Sequence, residues 1–259
     1  MRIITGLCAA TLALCLIAYS TGATSGEQIN RMKERADLDG DGSEETVYFA
    51  SFSISGHYSN NTFVLKVCGR TAAFEGDNLN GYFKIVDIDT SDRYLEIAVP
   101  EEGQSDDHQV HYFRYSSGEI IKLGTLPGST REWNTKIDGS GIVQALVRGN
   151  ILDTWDYWGK FKYDDCSHDF VEIFKRDFVL NREVTVKEEL PLYKDKDMTQ
   201  IAFTAKVGEK GVITKTDNRL WCLFESDSGE KGWFPVWGSN ILHINKLGYQ
   251  VFDGLQLAD

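Results

Sequence analysis

The stretch Ala36–Ala50, which reads ADLDGDGSEETVYFA, decides the fold of the N-terminal part of the chain. An aspartate- and glycine-rich turn runs directly into Thr46–Ala50, a segment of β-branched and aromatic residues. This order predicts a β-strand entered through a tight loop. Further strand-like segments follow, separated by Gly, Asp, Asn and Ser clusters, at 62–67, 94–99, 110–115 and 142–147. The predicted fold class is therefore all-β, and no later window shows sustained helical periodicity, although Glu27–Arg35 could form one short polar helix.

The aspartate-rich turn recurs along the chain. Asp37, Asp87 and Asp138 are separated by 50 and 51 residues, and an apolar strand-like segment follows each of them. A period of this length fits one four-stranded blade of a propeller. Three copies are fewer than the about four to eight blades of a closed propeller. The pattern therefore predicts either a partial, propeller-blade-like array of antiparallel repeats or a sandwich built from the same units.

The first turn has the composition of a calcium loop. Aspartates at alternating positions place carboxylate oxygens around one centre, and Gly42 permits the sharp backbone turn that such a loop needs. The predicted metal ligands are Asp37, Asp39, Asp41, Ser43 through its main-chain carbonyl, and Glu45. The alternative is a solvated acidic turn that holds no ion.

The second and third turns depart from this pattern. The second has no glycine at the sixth position, and its third carboxylate comes one residue late, so it predicts a weaker, distorted site or a turn held by its own side chains. The ligands of that weaker site would be Asp87, Asp89, Asp92 and Glu96. The third turn offers only Asp138 and predicts a simple turn.

The loop that starts at Asp37 resembles that of integrin-type FG-GAP repeats and the related VCBS repeats. Those families carry the pattern DxDxDGxxD between two strands of a blade, and this chain matches it except for Glu45 at the ninth position. The resemblance implies Ca²⁺ as the cofactor of the first repeat and a repeat domain over residues 24–181. The glutamate at position nine implies a weakened site.

The C-terminal part resembles a bacterial SH3 (SH3b) domain over residues 182–247, followed by a tail at 248–259. The residues that carry this resemblance are Leu190–Tyr193, Gly208–Ile213, Trp221–Phe224 and Gly229–Phe234. It implies a small SH3-like barrel that binds cell-wall or other short peptides. The candidate ligand-binding residues are Tyr193, Trp221, Trp233 and Trp237. The alternative for Trp221 and Trp233 is a place in the core.

The N-terminus predicts export. Arg2 precedes an apolar run from Ile3 to Ile17 and a small-residue cleavage region near Ala23, so residues 1–23 read as a signal peptide. No stretch is long enough to predict a transmembrane segment. The formal net charge of −12 argues against nucleic acid as a partner, because binding it requires a clustered basic surface. The predicted location is secreted, with association to the cell wall.

No enzyme motif accompanies these features. The sequence contains no GxSxG, HExxH or P-loop pattern, and only Cys166 with His168 hints at a nucleophile and its base. The prediction is a non-catalytic, calcium-binding adhesion or binding protein of the cell envelope. The alternative is a hydrolase, or an accessory domain of one, that acts on cell-wall peptides or glycans.

Overall fold

The computed structural model of the protein describes residues 27–54, 62–76, 79, 81–102, 108–128 and 134–256. The predicted signal peptide, residues 1–23, lies outside these residues. Strands dominate the described part of the chain, where the one helix is the single turn Gly248–Val251 (α1). The all-β prediction is confirmed. None of the described residues belongs to a helix that is long and apolar enough to cross a membrane.

The first sheet is an antiparallel meander of four strands. They are β1 Glu27–Ala36, β2 Glu45–Ile54, β3 Thr62–Val67 and β4 Arg70–Glu75. The prediction of a helix over Glu27–Arg35 is wrong, because this segment forms β1 and pairs with β2 along its whole length. Strand pairing within the folded domain outweighs the weak helical propensity of a short polar segment.

Two further four-stranded sheets repeat this order of strands. The second contains β5 Lys84–Val86, β6 Glu96–Glu101, β7 Gln109–Ser116 and β8 Glu119–Pro127. The third contains β9 Thr135–Ile137, β10 Val143–Arg148, β11 Asp156–Asp164 and β12 Asp169–Glu172. In every sheet the aspartate-rich turn connects the first strand to the second. The period in the sequence therefore corresponds to a repeated unit of structure.

The described residues divide into two compact units. The first contains the residues up to Leu146 together with Gly159–Ile173, and the second contains Val147–Trp158 and the residues from Phe174 onward. The predicted boundary near residue 181 falls inside β13, Phe178–Val186, which belongs to the second unit. The difference arises because the segment 147–158 contributes Ile151, Leu152 and Trp155 to the core of the second unit.

Aromatic side chains form much of the core of the first unit. Phe63 on β3 has ring centroids of Phe49, Phe74 and Phe113 within 5.4–5.9 Å of its own. Phe113 lies on β7, so these contacts join the first sheet to the second. Burial of such side chains supplies the hydrophobic stabilisation that holds the two sheets together.

The second unit is built from the remaining strands. They are β13 Phe178–Val186, β14 Leu190–Tyr193, β15 Ile201–Ala205, β16 Lys210–Thr216, β17 Trp221–Ser226, β18 Lys231–Trp237, β19 Ile241–Leu242, β20 Lys246–Leu247 and β21 Phe252–Asp253. Their main path runs β15-β14-β18-β17-β16-β13-β21, and β19 and β20 extend from β18. Within the described residues this path is open, since β15 and β21 do not pair with each other, so the strands do not close into the barrel predicted for residues 182–247.

The segment expected to be a tail is part of the fold of the second unit. Val186 of β13 pairs with Phe252 of β21, and the Phe252 side chain is 1% exposed. Its ring centroid lies 5.6 Å from that of Phe234 and 6.2 Å from that of Phe224. The chain beyond residue 247 therefore completes the core of the unit, which its sequence pattern alone did not indicate.

We expect Phe252→Ala to destabilise the second unit by about 3–5 kcal/mol, because it removes a fully buried ring and leaves a cavity. Urea unfolding followed by tryptophan fluorescence measures this, since five of the six tryptophans lie in the second unit. Tyr249→Ala, in the same segment but 44% exposed, is the matched control and changes the midpoint little. Equal midpoints for Phe252→Ala and the unmodified protein would contradict the placement of this segment.

Candidate metal centre

The turn between β1 and β2 is folded around the side chain of Asp37. Its Oδ1 accepts a hydrogen bond from the backbone N–H of Asp41 at 3.1 Å, and its Oδ2 accepts one from Gly42 at 2.9 Å. Gly42 has a φ of +90°, a left-handed conformation that strains residues with a side chain. The glycine at the sixth position is therefore needed for the backbone to wrap around the carboxylate.

Three carboxylates converge beside this turn. One oxygen each of Asp37, Asp39 and Glu45 lie within 4.8 Å of one another, close enough to hold a metal ion together. Glu45 is only 6% exposed, and its Oε2 accepts a hydrogen bond from the backbone N–H of Leu38 at 2.8 Å. Asp39 Oδ1 is shielded from solvent and has no hydrogen-bond donor in the described structure.

The fourth predicted carboxylate, that of Asp41, lies outside this triad. Asp41 is exposed, and its Oδ1 accepts a hydrogen bond from the backbone N–H of Ser43 at 2.7 Å. Ser43 is also exposed. The structure thus brings together the carboxylates of Asp37, Asp39 and Glu45, and the carboxylate of Asp41 does not belong to this group.

Glu45 is placed by the alternation of β2. Glu45, Val47 and Phe49 are two residues apart, so their side chains point to the same face of the sheet, and all three are buried. The position of Glu45 in this alternation marks it as an inward-facing carboxylate. Glu45, at the ninth position, is therefore the most buried acidic residue of the turn.

The second turn holds a buried glutamate in the same way. Glu96 is fully buried, and its Oε2 accepts a hydrogen bond from the backbone N–H of Ile88 at 3.2 Å. Here a guanidinium is the neighbour: Arg114 Nε donates to Glu96 Oε1 at 2.9 Å, and Arg114 Nη2 donates to Asp92 Oδ2 at 3.1 Å. Burial raises the pKa of Glu96, and Arg114 opposes that rise.

The remaining predicted ligands of the second turn are not directed at a common centre with Glu96. Asp89 Oδ1 accepts hydrogen bonds from the hydroxyl of Ser91 at 2.6 Å and from its backbone N–H at 3.0 Å, and these bonds lower the pKa of Asp89. Asp87 does not converge with Asp89, Asp92 and Glu96 into a metal-binding group in the described structure. The guanidinium of Arg114 supplies the positive charge of this turn.

Strand register explains why the first turn differs. Arg114 lies directly opposite Glu96 in the pairing of β6 with β7. In the first sheet the pairing of β2 with β3 ends where Val47 lies opposite Val67, and Cys68 and Gly69 form the turn into β4, so no residue of β3 lies opposite Glu45. The first turn therefore receives no cation from the strand that supplies one in the second.

The three turns lie side by side and are joined by backbone hydrogen bonds. Leu95 N–H donates to Leu38 O at 3.0 Å, which links the second turn to the first. Gly141 N–H donates to Ile88 O at 2.8 Å, which links the third turn to the second. In the third turn Asp138 accepts a hydrogen bond from Ser140 N–H at 3.1 Å, as in a simple turn.

We expect Arg114→Met to destabilise the first unit by about 3–5 kcal/mol near neutral pH, because it leaves the carboxylate of Glu96 buried and unpaired. The pKa of Glu96 is already raised by burial, so the residue takes up a proton as the pH falls and the cost of losing Arg114 shrinks. Calorimetric unfolding at several pH values measures both effects.

Arg93→Met is the matched control for this experiment. Arg93 contacts the same Tyr94 ring, at 5.0 Å against 4.6 Å for Arg114, but it is exposed to solvent. Its loss is expected to cost less than about 1 kcal/mol. A destabilisation by Arg114→Met that matches the control, or that grows as the pH falls, would contradict the role assigned to Arg114.

The aromatic residues predicted for ligand binding fall on the outer face of β18 and its neighbours. Gly232, Phe234 and Val236 are buried, and the alternating residues Trp233 and Trp237 are partly or largely exposed. Trp233 lies opposite Tyr193 of β14 and Leu223 of β17, so Trp233 and Tyr193 form one row. Lys196 Nζ lies 4.4 Å from the centroid of the Trp233 ring.

The other two predicted residues are placed differently. Trp221 is 8% exposed and lies opposite Pro235, so it is mainly a packing residue. Trp237 is 42% exposed at the end of β18, opposite Ile241 of β19, which is 43% exposed. Tyr193 and Trp233 thus form a half-covered aromatic pair, and Trp237 extends the exposed aromatic surface at the strand end.

A polar row that the sequence did not indicate crosses the second sheet. His111 Nε2 lies 2.7 Å from Glu101 Oε2, and His111 Nδ1 lies 2.8 Å from Thr125 Oγ1. The three residues come from three adjacent strands, so only the register brings them together. His111 is 5% exposed and packs against Phe63, with ring centroids 5.8 Å apart. This burial limits access of a substrate to the imidazole.

Comparison with known proteins identifies no relative. No family model matches the chain, and none of the curated proteins matches it. The assignment of function therefore depends on the geometry of the turn at Asp37 and on the surfaces of the two units.

Proposed function

We propose that this protein is an exported, non-catalytic binding protein of the cell envelope whose first repeat is stabilised by calcium. The observation that carries the proposal is the convergence of Asp37, Asp39 and Glu45, with oxygens within 4.8 Å of one another. Asp39 Oδ1 is shielded from water and receives no hydrogen bond among the described residues. Carboxylates held this way repel one another unless a cation lies between them.

Calcium is the cation that best suits these ligands. It is a hard ion that binds carboxylate, carbonyl and water oxygens with a flexible coordination number of about 6–8. The triad consists of carboxylates only, without the thiolates and imidazoles that favour zinc or copper. Partial exposure of Asp37 and Asp39 leaves room for water molecules to complete the coordination.

The second turn supports this reading by contrast. There the buried Glu96 is neutralised by Arg114 of the neighbouring strand, whereas β3 ends before it reaches the position opposite the buried Glu45. A calcium ion at the first turn would neutralise the buried carboxylate of Glu45, as Arg114 neutralises that of Glu96 at the second turn. Each turn would then compensate the negative charge of a glutamate buried at the start of a strand, one with a metal ion and the other with a guanidinium.

The wider setting of the proposal comes from the repeats and the second unit. Three meanders with an aspartate-rich turn between their first two strands support the likeness to FG-GAP and VCBS repeats. In the second unit the half-covered row of Tyr193 and Trp233, with the exposed Trp237 beyond, supports a docking role for an SH3-like module. In this proposal calcium has a structural role, and the protein carries out no reaction.

We expect excess calcium to raise the melting temperature of the first unit by roughly 5–10 °C relative to chelator, at a concentration about 100-fold above Kd. Asp39→Asn removes one charge of the triad and abolishes this rise. In chelator the variant is expected to be at least as stable as the unmodified protein, because the repulsion within the triad is relieved. Differential scanning calorimetry measures all three results.

Asp89→Asn, the same change at the equivalent position of the second turn, is the matched control and keeps the full response to calcium. The second unit is an internal control, because tryptophan fluorescence reports mainly on it and is expected to respond less to calcium. Identical melting with calcium and with chelator would overturn the proposal. An equal loss of response in both variants would show that the effect does not come from the triad.

A further inference from the structure

The outer face of the first sheet carries an unusual set of side chains. Residues directly opposite one another in a sheet point to the same face, and Lys33, Tyr48 and Lys66 are opposite one another on β1, β2 and β3. The rows on either side place Arg31 opposite Ala50 and Arg35 opposite Thr46. We call this surface the cationic face; its members are Arg31, Lys33, Arg35, Tyr48 and Lys66.

The cationic face is the side of the sheet turned away from the core. Val47, Phe49 and Leu65 alternate with its members along the strands and are buried at no more than 2% exposure. All five members of the cationic face are exposed, and Tyr48 is 45% exposed at its centre. Lys33 Nζ lies 5.3 Å from the centroid of the Tyr48 ring. An aromatic ring surrounded by ammonium and guanidinium groups thus faces the solvent.

These positive charges lie together in a chain of net charge −12. Arg35 forms an ion pair with Glu44 at 3.3 Å, and both side chains are largely exposed. No carboxylate among the described residues pairs with Arg31, Lys33 or Lys66. Cations held together on a strand surface repel one another, and a bound anion removes that repulsion.

We propose that the cationic face binds an acidic polysaccharide, with sugar rings on Tyr48 and the anionic groups on the surrounding lysines and arginines. Lys33, Tyr48 and Lys66 form an exposed row across three adjacent strands, whereas in the next row Ala50 and Val64 are buried and Ala73 is exposed. An extended polymer can lie along the exposed row. The inference rests on the proposed function, since an exported protein meets such polymers outside the cell.

The same observations disfavour two other polyanions. Insertion into a membrane requires several exposed apolar or aromatic side chains, and Tyr48 is the one large such residue on the cationic face. Duplex DNA carries one charge per roughly 1.7 Å, so the negative charge of the rest of the protein opposes it strongly. A polysaccharide of lower charge density is repelled less by the negative charge of the rest of the protein. At physiological salt, charges farther away than about 8 Å are largely screened, so the lysines and arginines of the cationic face determine its binding.

The test measures binding of soluble hyaluronan oligosaccharides, with neutral dextran of similar size as the uncharged comparison. Lys33→Glu combined with Lys66→Glu is expected to weaken binding roughly 30-fold or more. Tyr48→Ala is expected to weaken it less but measurably, through loss of the stacking surface. Raising the salt concentration weakens binding by the unmodified protein, because the cations are exposed.

Lys210→Glu combined with Lys215→Glu makes the same change in charge on exposed positions of β16 in the second unit and is the matched control. The proposal requires that this control bind hyaluronan nearly as well as the unmodified protein. Circular dichroism melting of each variant separates loss of the binding face from loss of the fold. Equal weakening by both pairs would show that binding follows net charge alone and would overturn the proposal.

Phosphatidylglycerol vesicles test the competing membrane reading. Binding to these vesicles without binding to hyaluronan would overturn the proposal, as would binding of hyaluronan and dextran with equal affinity. The titrations are run with calcium and with chelator. If the protein binds hyaluronan but its melting temperature does not change with calcium, the proposal for the cationic face is supported and the calcium proposal is refuted. If its melting temperature rises with calcium but it does not bind hyaluronan, the calcium proposal is supported and the proposal for the cationic face is refuted.

Discussion

The first unit depends on the burial of a glutamate at the start of the second strand of a sheet. Glu45 and Glu96 each accept a hydrogen bond from the backbone of their own aspartate-rich turn, at Leu38 and Ile88. This bond fixes the path of the turn into the strand, but it places a carboxylate where water cannot solvate it. A buried carboxylate requires a compensating positive charge, and that requirement shapes the surroundings of each turn.

The turns, once fixed, connect the repeats. Backbone hydrogen bonds run from the second turn to the first and from the third to the second, so the geometry of one turn constrains its neighbours. The aromatic cluster around Phe63 and Phe113 holds the first two sheets together behind them. Ordering the first turn with an ion would therefore stiffen the sheet that carries the cationic face. In this account calcium acts through the scaffold, and a ligand would contact other residues.

Features of short range were predictable from the sequence. Alternation along β2 and the turn residues before it predicted the strand, and the spacing of Asp37, Asp87 and Asp138 predicted turns at equivalent places in successive sheets. Asp37, Asp39 and Glu45 were among the predicted ligands and do converge. Asp41 was predicted with them, but its carboxylate is exposed and accepts a hydrogen bond from the backbone N–H of Ser43.

Features that depend on pairing between distant residues were not predictable in this way. Arg114 is 18 positions from Glu96 in the chain and reaches it only through the register of β6 with β7. The segment 147–158 and the strand at Phe252 join the second unit through packing with residues far along the sequence. β1 was mistaken for a helix because its stability comes from pairing with β2 and not from its own composition.

The most direct test of the metal centre is the number of calcium ions that the protein binds tightly, measured by equilibrium dialysis against labelled calcium. A single ion per chain is expected, held at the first turn, because Arg114 supplies the charge of the second turn and the third has one carboxylate. Binding of no ion would contradict the metal centre. Tight binding of two or more ions would contradict the idea that Arg114 takes the place of a metal.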